Sequence, residues 1–423
     1  MYTDNQILIY DFAWAISEVV DLASPALNNH HKRVSYIAGS LARQMGLPSE
    51  EVQDIILAAM LHDIGAFYKE EKDKILQFES LGSDLIEHTC MGYELLKGFE
   101  PFSNAAKLIR HHHTDCHDCD DDVPLGSEVI HLADKVSVLF DRRREVLRQV
   151  PGIMERVYEK SGSFHPEAVA ALEQLAPMEY FWIDAASPLL QSDVMKMGRM
   201  CKTIVDLKTL RNFAGVVSHI IDFRSRFTAT HSSGVAAVAK ELCVLSGFSE
   251  KECDLMEIAG LLHDLGKLAV PNDILEKNGK LDPDEIKVVR KHTYYTYAIL
   301  IKIRGLETIA GWAAYHHERL DGKGYPFHIQ GGDFSKLARI MAVADILTAV
   351  TEDRPYRPGM DREKAEKVLL NMVSNNGIDK SVVDVAIEHF VRVNDIRAKA
   401  QQAQAQDYEG FQSIAAKCRQ KKK

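Results

Sequence analysis

Residues 262–267 read Leu262-His263-Asp264-Leu265-Gly266-Lys267, and the chain spells nearly the same text 201 residues earlier, as Leu61-His62-Asp63-Ile64-Gly65-Ala66. The likeness runs outward from there. His30-x-x-x-Val34-x-x-Ile37-Ala38-x-x-Leu41 returns at the same offset as His231-x-x-x-Val235-x-x-Val238-Ala239-x-x-Leu242, so 32 residues separate the first histidine from the second in both halves. Downstream, His88 answers to His292, His112-His113 to His316-His317, and Asp134 to Asp345. Solenoid units recur every ~20–50 residues, so an interval this long marks a duplicated domain.

Both halves read as helical. Apolar residues share one helical face after the first histidine, as at Val235, Val238, Ala239 and Leu242. Long alternating β-branched runs are missing. Gly46-Leu47-Pro48-Ser49-Glu50-Glu51 and Gly247-Phe248-Ser249-Glu250-Lys251-Glu252 combine a helix stop with a capped start, and Pro271-Asn272-Asp273 and Leu281-Asp282-Pro283-Asp284-Glu285 carry the same signal. The expected fold is all-α, with two tandem helical domains. The expected boundaries are 1–195 for a divergent first domain, 196–400 for the second, and 401–423 for a polar, basic tail of frayed helix. Ser187-Pro188 is expected to break the first domain, and Met195 to Thr209 to form a connecting helix.

Composition narrows the function classes. With 423 residues, 46% hydrophobic and 26% charged, the chain can bury a core without staples. A net charge of -10 argues against a general DNA or RNA binder but allows a small anion in a local basic pocket. No apolar run approaches ~20 residues, and no basic-then-apolar leader opens the chain, so neither a membrane span nor a secretory signal is expected. Seven scattered cysteines do not form a disulfide framework. The expectation is a cytoplasmic protein with reduced thiols, in which Cys90, Cys201, Cys243 and Cys253 are small core residues. Cys116-His117-Asp118-Cys119 lacks a second Cys-x-x-Cys and reads as a solvated acidic loop. A homodimer is the default oligomer.

The chemistry lies in the second copy. His231, His263, Asp264, His292, His316, His317 and Asp345 stand on an apolar helical background. Burying so many polar groups unpaired would cost several kcal/mol, and a metal cluster satisfies them. Mixed nitrogen and oxygen donors suit Fe, Mn, Zn, Ni or Co rather than Ca. Seven donors exceed one tetrahedral site, so two divalent metals are expected, with Asp264 as the bridge. Such a pair activates a bridging water in line with phosphorus, which makes a phosphate ester or diester the substrate class.

Residues 215–360 resemble the HD-GYP domains, a branch of the HD phosphohydrolases that hydrolyse cyclic dinucleotides. The resemblance rests on His263-Asp264-Leu265-Gly266-Lys267, His316-His317-Glu318-Arg319-Leu320-Asp321-Gly322-Lys323-Gly324-Tyr325-Pro326, Ala344-Asp345 and Asp353-Arg354-Pro355-Tyr356-Arg357. It implies that His231, His263, Asp264 and Asp345 ligate one metal and Asp264, His292, His316 and His317 the other. It implies iron first and manganese second. Lys267 then corresponds to the lysine at the scissile phosphate, Arg354 and Arg357 to basic residues that hold phosphate or guanine, and Tyr325 to a residue at the active-site mouth that either packs or touches a base or serves only as part of a glycine-containing turn. The activity implied is opening of cyclic di-GMP to linear pGpG, and onward to GMP, by a bridging hydroxide. Cyclic GMP-AMP is the alternative substrate, and a cyclic-dinucleotide-binding regulator or another nucleotide phosphohydrolase the alternative functions. In that family the Gly-Tyr-Pro loop is also a candidate contact for a cyclic-dinucleotide synthase. Some members hold a third metal through a glutamate four residues before the first histidine. Here that position is Phe227, so two metals are expected.

The first copy keeps His30, His62, Asp63, His88, His112, His113 and Asp134 as a candidate metal set, with His112-His113 rather than His111-His112 as the paired histidines. It departs at Ala66, which replaces lysine, and it has no Gly-Tyr-Pro segment. Arg143 follows Asp134 by the nine residues that separate Arg354 from Asp345. A regulatory or dimerising module, a metal-based sensor and a second phosphohydrolase are its three readings, and the missing lysine favours the first two.

Overall fold

A computed structural model of the chain describes residues 7–22, 29–68, 82–116, 123–141, 143–187, 194, 204–223, 230–277, 279–331, 333–353 and 358–420. The chain forms two compact units, one of Leu8–Ile204 with Gln412–Lys423, the other of Met1–Ile7 with Val205–Phe411. The helices run α1 (Ile9–Leu22), α2 (His30–Gln44), α3 (Ser49–Leu61), α4 (Gly82–Leu96), α5 (Ser103–His111), α6 (Leu125–Val138), α7 (Val150–Glu159), α8 (Pro166–Leu175) and α9 (Glu179–Ala186) in the first copy. The second copy continues with α10 (Leu207–Phe223), α11 (His231–Leu245), α12 (Glu250–Leu262), α13 (Asn272–Leu275), α14 (Pro283–Leu300), α15 (Glu307–Ala314), α16 (Lys336–Thr351), α17 (Arg362–Ser374) and α18 (Lys380–Glu388), followed by α19 (Phe390–Gln420). The fold is all-α, as expected. The strands among the described residues are the two-residue segments Ile7–Leu8 and Ile204–Val205, which pair with each other.

The duplication is visible element by element. Helices α2 and α11 each have 15 residues, α3 and α12 each 13, and the 3-10 turns Ile64–Tyr68 and Leu265–Ala269 each 5. In the first copy α2 packs on α3 and α6, and in the second α11 packs on α12 and α16. The helical faces inferred from periodicity are the packed ones: Val34, Ile37, Ala38 and Leu41, like Val235, Val238, Ala239 and Leu242, are fully buried. Each such aliphatic side chain removes apolar surface worth about 1.5–3 kcal/mol from water.

Local signals set the helix starts. Gly247 turns the chain at φ 79°. The Ser249 hydroxyl then accepts the Glu252 amide hydrogen, and the Glu252 carboxylate accepts that of Ser249. Asp282 and Glu285 cap α14 in the same reciprocal way, with Pro283 in its first turn. The corresponding cap in the first copy is not made. The residue before α3 is Pro48, which has no side-chain acceptor, and Ser49 is already helical. One close approach recurs in both copies: a Cβ at Gly65 would lie 2.1 Å from the His88 carbonyl oxygen, and one at Gly266 2.0 Å from that of His292. Only glycine lets the 3-10 turn pack directly on the next ligand-bearing helix.

Two expectations are corrected. Ile204–Val205 is extended and α10 begins at Leu207, so Met195 to Thr209 is not one helix; residues 195–203 lie outside the described set. Cys90 is not a free core thiol. It forms a disulfide with Cys418 of α19, their Cα atoms 6.1 Å apart, within bridging range. Cys243 and Cys253 are buried, Cys116 is half-buried, and none of the three is in a disulfide. Cys201 and residues 117–122 lie outside the described set. No described helix is long and apolar enough to cross a membrane.

Candidate metal centres

In the second copy five elements converge. His231 opens α11. His263 and Asp264 follow α12 at the 3-10 turn, and His292 lies mid-way along α14. His316 and His317 end a 3-10 turn after α15, and Asp345 is on α16. Asp264 faces both sides of the cluster: its Oδ2 lies 3.2 Å from His263 Nε2 and its Oδ1 3.4 Å from His292 Nε2. His231 Nε2 is 3.1 Å from Asp345 Oδ1, and His317 Nδ1 is 3.8 Å from Asp345 Oδ2. His292 and His316 bring their Nε2 atoms to 3.2 Å. The donors fall into two groups able to hold an ion, His231 with His263 and Asp264, and His292 with His316 and His317.

The imidazoles are oriented from behind. With Nδ1 protonated, His263, His292 and His316 donate to the carbonyls of Gly260 at 2.7 Å, Val289 at 2.6 Å and Ala313 at 2.7 Å, which turns each Nε2 inward. His231 Nδ1 instead faces the Glu352 carboxylate at 3.0 Å, a partner of the kind that holds metal-binding histidines. Glu352 also accepts from Gln401 of α19 at 3.0 Å, and Arg397 donates to Gln401. Burial would raise Asp345, but the imidazoles of His231, His317 and His316 hold it well below the usual carboxylate range. Burial pushes His292 down to about 3, leaving it neutral with a lone pair to offer. Burial also pushes Asp222, a carboxyl that accepts from Ser232 Oγ at 2.9 Å, up to about 8.

This site is open on one side. The His317 side chain is 33% exposed, and Lys267, 20% exposed, places Nζ 2.5 Å from Asp264 Oδ2. The Tyr325 ring sits 4.9 Å from that of His317, with the Arg290 guanidinium 4.8 Å over its face. Buried Glu318 anchors this loop, accepting from the amides of Phe327 at 2.7 Å and Ile329 at 3.1 Å. Arg354 and Arg357 lie outside the described residues, as does Phe227.

The first copy assembles the same frame. His62 Nε2 lies 3.1 Å from Asp63 Oδ2, His88 Nε2 3.4 Å from Asp63 Oδ1, and His30 Nε2 3.1 Å from Asp134 Oδ1. His112 and His113 join the cluster, and His111 ends α5 beside it in sequence. Behind His30 stands the Ser137 hydroxyl at 3.2 Å instead of a carboxylate. Every donor side chain here is at most 4% exposed, and Ala66 is buried where the second copy has Lys267. The site also contains a residue that the sequence reading passed over. His31 joins His62 and Asp63 as a further ion-holding group. The 201-residue offset matches Asp21 to Asp222 and His31 to Ser232, so the sequence shows the exchange of serine for histidine but not the direction of the ring.

The HD domain family matches this chain twice, at residues 28–139 and 215–382. The chain is 29% identical over 380 residues to the 3′3′-cGAMP-specific phosphodiesterase 1 of Vibrio cholerae serotype O1, spanning 85% of this chain and 87% of that one. It is 39% identical over 140 residues to a cyclic di-GMP phosphodiesterase of Pseudomonas aeruginosa, spanning 33% of this chain and 34% of that one. A crystal structure of a cyclic GMP-AMP-specific phosphodiesterase of Vibrio cholerae superposes with a TM-score of 0.65 at 23% identity, covering 90% of this chain and 97% of that one, which shows a shared fold.

Proposed function

From the premise that this chain belongs to the HD domain family and carries that domain twice, we propose that its C-terminal copy hydrolyses 3′,3′-cyclic GMP-AMP. The chain is an HD-type cyclic-dinucleotide phosphodiesterase. The observation that carries the site is the pairing of a complete seven-residue donor set with an open mouth holding Lys267. The donor chemistry fits two first-row divalent ions, which we take to be iron or manganese. When bound, they supply an acidified water and charge neutralisation at the phosphate.

The chain's own residues do the rest. Asp264 bridges the two donor groups. Lys267 provides a fixed cation beside the scissile phosphate, where charge develops in the transition state. Tyr325 and Arg290 present an aromatic face and a planar cation to a nucleobase at the mouth. Water adds to phosphorus, the P–O3′ bond breaks, and the leaving 3′-oxygen takes a proton. The product is a linear dinucleotide with a 5′-phosphate.

Cyclic di-GMP, the first substrate expected from sequence, becomes the second reading. The relative matched along most of both chains is named for cyclic GMP-AMP, whereas the cyclic di-GMP enzyme of Pseudomonas aeruginosa matches over 140 residues. Anaerobic protein loaded with Fe(II) or Mn(II) and offered both nucleotides in parallel should convert cyclic GMP-AMP faster. The reverse order would exchange the two substrates. Turnover of neither by metal-loaded protein would remove the hydrolytic reading.

A further inference from the structure

The two copies differ at one pair of buried positions beside the metal cluster. In the C-terminal copy, Ser232 donates its hydroxyl hydrogen to Asp222 at 2.9 Å and reaches no further. At the matching positions the N-terminal copy has His31 and Asp21. His31 Nδ1 lies 2.6 Å from Asp21 Oδ1, and its Nε2 points the other way, 3.7 Å from Asp63 Oδ2. The ring is 1% exposed and Asp21 5%. His31 Nε2 has no hydrogen-bond partner, nor do the Nε2 atoms of His30 and His62, nor either carboxylate oxygen of Asp63 or Asp134. Buried polar atoms are costly when left unpaired. Here they fall into two groups able to hold an ion, His31 with His62 and Asp63, and His30 with His62 and Asp134, and a histidine backed by a carboxylate is the usual form of a metal ligand.

We propose that the N-terminal copy is a closed, non-hydrolytic metal centre in which His31, oriented by Asp21, is an additional ligand. This rests on reading the C-terminal copy as the hydrolytic one. His30, His62, Asp63 and Asp134 match the four residues assigned to one ion in the C-terminal copy, and His31 adds a fifth donor on the Asp63 side. In the C-terminal copy the matching side chain is Ser232, whose hydroxyl is held by Asp222, so an ion bound there would keep a position for water or a substrate oxygen. A fifth protein donor would take that position. Burial reinforces it: the His113 side chain is 3% exposed where that of its counterpart His317 is 33% exposed. The N-terminal centre therefore holds its ion for structure or signalling, not for phosphate chemistry.

The test uses the full chain with the C-terminal centre disabled by His263→Ala and Asp264→Ala, so that any bound metal reports the N-terminal copy. Iron and cobalt(II) are loaded separately, metal is counted by mass spectrometry, and its loss to a chelator is timed. The chain should retain metal. His31→Ser, which installs the residue of the other copy, should speed the loss at least ~10-fold and change the visible cobalt spectrum, as a lost ligand must. Asp21→Asn, which preserves shape, should speed the loss in the same direction and carries the test if His31→Ser fails to fold by circular dichroism. A disabled chain that binds no metal overturns the proposal, as does loss and a spectrum indifferent to both substitutions. Turnover by the unmodified chain tests the hydrolytic reading separately.

Discussion

The two halves share a frame and diverge in what surrounds it. Each brings a bridging aspartate between two groups of imidazoles, with the same helices at the same spacing. The N-terminal cluster is sealed, its first histidine backed by the Ser137 hydroxyl and its flank occupied by His31. The C-terminal cluster is open at His317, backed by Glu352, and faced by Lys267. On the reading proposed above, the difference teaches that donors alone would not make a hydrolase. A cation at the mouth and a position left to water or substrate would separate a site that turns over substrate from one that keeps its metal.

Asp264→Asn should have the largest effect, lowering turnover more than ~10³-fold because both donor groups lose their shared carboxylate. If residual turnover survives and then disappears with Asp63→Asn, the N-terminal copy hydrolyses after all and the comparison breaks. Lys267→Ala comes next. It should cost ~10²–10³-fold in kcat with metal content and KM little changed, since the cation acts on developing charge; a loss confined to KM would reassign it to ground-state binding. Glu352→Gln should weaken metal retention in the C-terminal centre ~10–100-fold, measured by chelator competition, and leave the N-terminal centre, with Ser137 in the equivalent role, untouched.

Tyr325→Ala should raise KM about 10-fold with a smaller change in kcat if its ring stacks on a base. An unchanged KM would return Tyr325 to the role of a turn residue. The smallest effect belongs to Ser249→Ala, about 1 kcal/mol of stability read by denaturant unfolding. Ser49→Ala should do less, because α3 starts after Pro48 without a side-chain cap.

Much of this was legible in the sequence because the duplication repeats both spacing and chemistry. The helices, the buried faces around Val34 and Val235, and the capping box at Ser249 follow from local rules. Other features depend on distance in space. Glu352 is an ordinary acidic residue until the fold sets it against His231, 121 residues away in the chain. His31 sits beside a ligand, and only the position of Asp21 gives its second nitrogen a direction. Cys90 looks like a small core residue because its partner lies 328 residues on, and pairing cannot be deduced from spacing. Ile204–Val205 is too short to show a period.

The two glycines that admit the carbonyls of His88 and His292 bear on the history of the chain. After a duplication, each copy is free to change what it binds, and here Lys267 stands opposite Ala66 and Ser232 opposite His31. At Gly65 and Gly266 the freedom ends, because any side chain would collide with backbone about 2 Å away. The copies could drift apart in function while these positions held them to one architecture. A lineage that lost catalysis in one half would still carry both glycines, long after the reason for its aspartates had changed.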